Sequence, residues 1–179
     1  MDQELAEILD PRYLEGIDEV PVAEIRARRI ACQEVETALS YLRRIAQGRL
    51  DIVSTELERR SAGGDPGDLE SLIDRLPEVL SDRTRGPGAG HLPQALVPGP
   101  LEGALVEELA GMEVEAHLTN LPQVSDTWLR TSQERLVEYE RKVSGLRRSL
   151  FDRIDAIQDE LGRRYRSGEA SVDRLIADS

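Results

Sequence analysis

The chain has 179 residues, with 35 Asp and Glu against 23 Lys and Arg, and carries a formal net charge of −12. That balance is a poor match for a nucleic-acid backbone, so no direct DNA binding is expected. With 32% charged residues and 3% aromatic, the composition suits long amphipathic helices better than a thick globular core, and no run of 18 apolar residues offers a membrane span.

Residues 1–21 form an acidic N-terminal segment. Its start, MDQELAEILD, lacks the basic and apolar regions of a signal peptide, so a cytoplasmic protein is expected. Val22 to Arg60 then reads as one long helix within a first segment, 22–62. Ile25, Cys32, Leu39, Ala46 and Val53 recur every seven residues, with Val35 and Leu42 at alternate seam positions and with Arg28 and Arg49 as interruptions. Cys32, the single cysteine, belongs to this seam, which excludes a disulfide framework. Gly63-Gly64-Asp65-Pro66 stops the helix.

A middle segment, 63–125, follows. Asp68 to about Asp82 is a short amphipathic stretch that Pro77 could kink. Residues 84–100, TRGPGAGHLPQALVPGP, read as a flexible Gly/Pro-rich linker. Leu101 to Met112 is a short helix candidate, and Ser125 is a cap ahead of the second long helix. That helix fills 126–168, with Leu129, Leu136, Val143, Leu150 and Ile157 again seven apart, and Gly168 ends it before a tail, 169–179. Trp128 packs at its start. Neither long helix can bury its seam alone, so the expected fold is all-α: an antiparallel two-helix coiled coil with short additional helices and a flexible middle linker.

A polar row flanks the first seam: Glu36, Ser40, Arg43, Gln47 and Asp51 lie within an arc of about 80°. A shift of 104 residues lays residues 34–60 over 138–164 with 12 of 27 positions identical, including Glu140, Ser144, Arg147 and Asp155. Only the Gln position departs, as Phe151, which could stack on a base or pack in the core. The matches lie largely off the seam, where packing does not dictate identity. None of these charges has an opposite charge three or four residues away. Both helical segments carry a net charge of +2 and the remainder −16. An Arg fork matches the O6/N7 edge of guanine, and a carboxylate can accept from its N1–H and N2–H₂ donors. Two such rows suit a guanine dinucleotide.

The pattern Glu-x₃-Ser-x₂-Arg-x₃-Gln-x₃-Asp resembles the cyclic di-GMP signature of the RsiG-type anti-sigma factors of actinobacteria. The first row matches it fully and the second at four of five positions. The resemblance implies an antiparallel coiled coil that binds a cyclic di-GMP dimer and holds a WhiG-type sigma factor away from RNA polymerase, delaying sporulation genes. It implies no enzymatic activity and no cofactor beyond this regulatory ligand. Carried over residue by residue, Arg43, Arg147, Asp51 and Asp155 contact guanine, while Ser40, Ser144 and Gln47 contact phosphate or sugar. Glu36 and Glu140 complete the two rows.

The heptads alone equally support a ligand-independent coiled-coil adaptor or scaffold. An enzyme is disfavoured: RGPGAGH lacks the Lys-Ser/Thr of a phosphate-cradling loop, and no Ser-His-Asp arrangement occurs. His91 and His117, without cysteine partners, argue against a zinc site and read as loop and helix-end residues.

Overall fold

The computed structural model describes residues 2–63, 103–118 and 120–168. The amphipathic stretch expected over 68–82, the linker of 84–100, His91 and the tail of 169–179 lie outside the described residues. Within them every regular element is helical: α1 (Asp2–Leu9), α2 (Val22–Ser61), α3 (Ala104–Ala110), α4 (Val114–Leu118) and α5 (Asp126–Ser167), with 3-10 turns at Pro11–Leu14 and Leu121–Gln123. None of these helices is long and apolar enough to cross a membrane.

The two long helices exist because their seams are buried. All ten heptad residues, from Ile25 to Val53 on α2 and from Leu129 to Ile157 on α5, are 0% exposed. The ends follow local rules. Ser125 Oγ accepts the Trp128 amide at 3.2 Å, satisfying a free N–H in the first turn of α5. Gly63 and Gly168, with φ of 78° and 80°, take the chain out of α2 and α5 in the left-handed conformation that a side chain disfavours.

The chain divides into two compact units, and each long helix contributes to both. The first holds α1, α2 up to Ser40 and α5 from Ser144. Arg26 bonds Tyr165 and Glu36 bonds Arg147, so numbers rise on α2 as they fall on α5, and the helices run antiparallel. Leu5 and Ile8 bury the inner face of α1. Arg153 donates from α5 to the carbonyls of Leu9 (3.3 Å) and Asp10 (3.4 Å), where α1 ends and its last carbonyls lack helical partners. Arg164, 6% exposed, donates to the carbonyls of Ile17 (2.9 Å) and Val20 (2.6 Å), which lead into α2. Glu160 accepts from Arg163 and Arg164, and these bonds lower the pKa of its carboxyl to about 2.

The second unit holds α2 from Tyr41, α3, α4 and α5 up to Val143. Arg43 faces Glu140, Ser54 faces Gln133 and Arg60 faces Asp126, again antiparallel. Arg49 donates to the Leu109 carbonyl at 3.1 Å, near the end of α3. Arg60 donates to the carbonyls of Leu121 and Val124, both at 2.7 Å, which lead into α5. Tyr139, 1% exposed, donates to the Leu105 carbonyl at 2.9 Å, and burial pushes its phenol up to about 12. Half-buried Trp128 packs against His117 with ring centroids 4.5 Å apart and the planes tilted by 60°.

Arg49 and Arg153, and likewise Arg60 and Arg164, are related by the same 104-residue shift as the polar rows. In both copies the first arginine holds the end of a short helix and the second holds the loop leading into a long one. The heptad interruption at Arg49 is therefore a docking contact. So is that at Arg28, whose Nη1 donates to the Tyr13 carbonyl at 2.7 Å and whose guanidinium lies 5.6 Å from the Tyr13 ring centroid.

Candidate functional site

The rows sit one position off the seam, so their side chains rise at the lip of the helix–helix groove, half in and half out of solvent. In the first unit Glu36 and Ser40 come from α2 and Ser144, Arg147 and Asp155 from α5. Glu36 Oε1 accepts from Arg147 Nη2 at 2.7 Å and Nε at 3.1 Å. Ser40 Oγ donates to the same oxygen at 2.6 Å. The Glu36 and Arg147 side chains are each 19% exposed. Ser144 is half-buried, and Asp155 is exposed.

In the second unit Arg43, Gln47 and Asp51 come from α2 and Glu140 from α5. Glu140 Oε1 accepts from Gln47 Nε2 at 3.1 Å and from Arg43 Nη1 at 3.4 Å. The Arg43 and Glu140 side chains are 28% and 25% exposed. Arg43 Nε is buried with no hydrogen-bond partner among the described residues, a state that costs free energy unless something accepts from it. Asp51 is half-buried.

Each row's glutamate thus holds the other row's arginine. Glu36, Arg43, Glu140 and Arg147 find opposite charges across the groove, 97 or 111 residues away in sequence, and not three or four residues along the helix. The two pairs differ in length and exposure, and the departure at the Gln position offers a reason. Gln47 competes with Arg43 for one Glu140 oxygen. Phe151 makes no such claim on Glu36. It does not pack in the core, being 43% exposed, and its ring lies 5.4 Å from the Arg147 guanidinium carbon. Ring and carboxylate together fix Arg147, leaving a shorter and more buried pair.

Chemically, each half presents a planar cationic fork, an adjacent carboxylate and neutral hydroxyl or amide groups on rigid helix backbone. That set can exchange its internal ion pair for an anionic, planar, hydrogen-bonding guest.

A model of the RsiG-like family matches residues 11–80 and 115–178. The chain belongs to the RsiG-like family. No curated protein matches it. The RsiG-like match takes in all of α2, all of α5 and every residue of both rows. The family is of the regulatory, anti-sigma type and is not an enzyme family. Sequence reading missed the arginine contacts to backbone carbonyls. Their signal was available in Arg49/Arg153 and Arg60/Arg164, which recur at the same shift as the RsiG-like signature.

Proposed function

We propose that this RsiG-like protein is a cyclic di-GMP-responsive anti-sigma factor that sequesters a WhiG-type sigma factor in the cytoplasm. The observation that carries the reading is the duplicated row in which each arginine at the groove lip is held by the other row's glutamate. Without ligand, Glu36 and Glu140 neutralise Arg147 and Arg43. A guanine offers its O6/N7 edge to the guanidinium fork, and the carboxylates of Glu36, Glu140, Asp51 and Asp155 are acceptors suited to N1–H and N2–H₂. Ser40, Ser144 and Gln47 supply neutral groups for phosphate and sugar. The half-satisfied Arg43 supports this reading, since an incoming acceptor would relieve its buried Nε. The acidic remainder of the chain suits a basic, DNA-binding partner surface, which it would attract over long range.

The test is calorimetry of the purified protein with cyclic di-GMP, alone and with a WhiG-type sigma factor, using linear pGpG as the control. Selective binding in either setting is expected, and it should vanish in the Arg43→Ala, Arg147→Ala double variant while helicity is kept. Absence of heat and of thermal stabilisation in both settings would leave the rows as ordinary polar faces and favour the ligand-independent scaffold.

A further inference from the structure

The internal duplication lets one part of the chain serve as a control for another. In the first unit a cavity of about 500 Å³ is lined by Arg26, Arg29, Gln158, Leu161, Gly162 and Tyr165. Arg26 Nη2 donates to Tyr165 Oη, and its guanidinium carbon lies 5.8 Å from that ring's centroid. Arg29 makes no hydrogen bond or ion pair among the described residues, and its Nε is buried without a partner. Arg26 makes no ion pair among the described residues either. The nearby Glu160 carboxylate is already committed to Arg163 and Arg164. A third guanidinium, that of Arg166, lies 3.4 Å from where a Cβ on Gly162 would stand.

The 104-residue shift turns Arg29 into Gln133, Gln158 into Ser54 and Gly162 into Glu58. There the corresponding contact is closed: Gln133 Nε2 donates to Ser54 Oγ at 2.9 Å. The first unit therefore differs from its copy in three linked ways. A neutral amide has become an arginine with no ion pair among the described residues, an acidic side chain has become a glycine, and a satisfied contact has become a cavity. A buried guanidinium nitrogen with no acceptor, such as Arg29 Nε, is unfavourable, so this arrangement is explained if an anion supplies the acceptor and the counter-charge.

We infer that this cavity is an oxyanion site that takes a phosphate group. Two or three guanidinium groups, a phenol and an amide offer more donors than one carboxylate can accept, and the number suits the several oxygens of a phosphate. The volume leaves room for the organic part of a small phosphate monoester beside the anion itself. The site shares no residue with the two polar rows, and the inference does not rest on the nucleotide reading given above.

The test is calorimetry and ³¹P NMR titration of the full chain with inorganic phosphate and, separately, with adenosine monophosphate. One bound phosphate is expected, weakening as salt is raised. Tighter binding of the monophosphate would identify a phosphate ester as the ligand, and equal binding would identify the free ion; either supports the site. Arg29→Gln and Gly162→Glu install the residues found at the equivalent positions. Each is expected to weaken binding by about tenfold or more, the equivalent of about one lost charge-assisted hydrogen bond. No binding of either probe at millimolar concentration, or unaltered binding in both cavity variants, would overturn the inference.

Discussion

Removing the two cross-helix ion pairs separately should give unequal losses. Glu36 and Arg147 are joined by bonds of 2.7 and 3.1 Å, with each side chain 19% exposed. Exposed ion pairs couple by about 0.2–1 kcal/mol, whereas hydrogen bonds to charged groups reach about 1.5–3 kcal/mol. With four-fifths of both side chains out of solvent, the expected coupling for Glu36–Arg147 is about 1.5 kcal/mol. Arg43–Glu140, at 3.4 Å and 28% and 25% exposure, shares its acceptor with Gln47 and should couple by about 0.5 kcal/mol. Two double-mutant cycles in urea, one with Glu36→Gln and Arg147→Gln and the other with Glu140→Gln and Arg43→Gln, followed by helical circular dichroism, measure these numbers. Equal couplings, or a larger one for Arg43–Glu140, would refute the account of Phe151 and Gln47 given above.

Arg164→Ala should cost about 3 kcal/mol, because it strips donors from the Ile17 and Val20 carbonyls at a nearly buried position; thermal melting reads this as a fall of roughly 6–12 °C. Acid should destabilise the fold through Glu160, held at about 2 against a usual 4.5 by hydrogen bonds from Arg163 and Arg164. Its folded value lies below its unfolded one, so its stabilisation is present above pH 4.5 and is lost as pH falls towards 2; an acid titration of Glu160→Gln should show a shallower decline there. Phe151→Gln should remove the ring beside Arg147 and allow the new amide to share Glu36. The Glu36–Arg147 coupling should then fall towards that of Arg43–Glu140, and calorimetry should show cyclic di-GMP binding strengthened by up to about tenfold.

The coiled-coil seam was legible because burial on a long helix imposes a seven-residue rhythm that needs no tertiary knowledge. Leu39 and Val143 could be placed from spacing alone, and both are fully buried. The polar rows were legible as rows because the duplication repeats them off the seam. Their pairing was not, since Glu36 finds Arg147 across 111 residues and a search along one helix cannot reach it. Helix α1 was read only as an acidic segment. With eight residues it is too short to announce itself, and its place depends on Leu5 and Ile8 being covered and on Arg153 receiving its last carbonyls. Arg28 and Arg49 looked like faults in the heptad for the same reason. An arginine bound to a backbone carbonyl has no sequence signature at the acceptor, because every residue carries that group.

The composition of the first unit bears on how the protein is made. It joins residues up to Ser40 to residues from Ser144 onward, so roughly one hundred residues must be synthesised between its two contributions. At about 5–20 residues per second, the apolar face around Ile25, Cys32 and Leu39 waits for about 5–20 s before Leu150 and Ile157 arrive to cover it. The second unit, drawn from the intervening stretch, can close first. The nascent chain therefore carries a bare seam after the second unit has closed, and this interval is when a chaperone, or a second nascent copy, has most access to it.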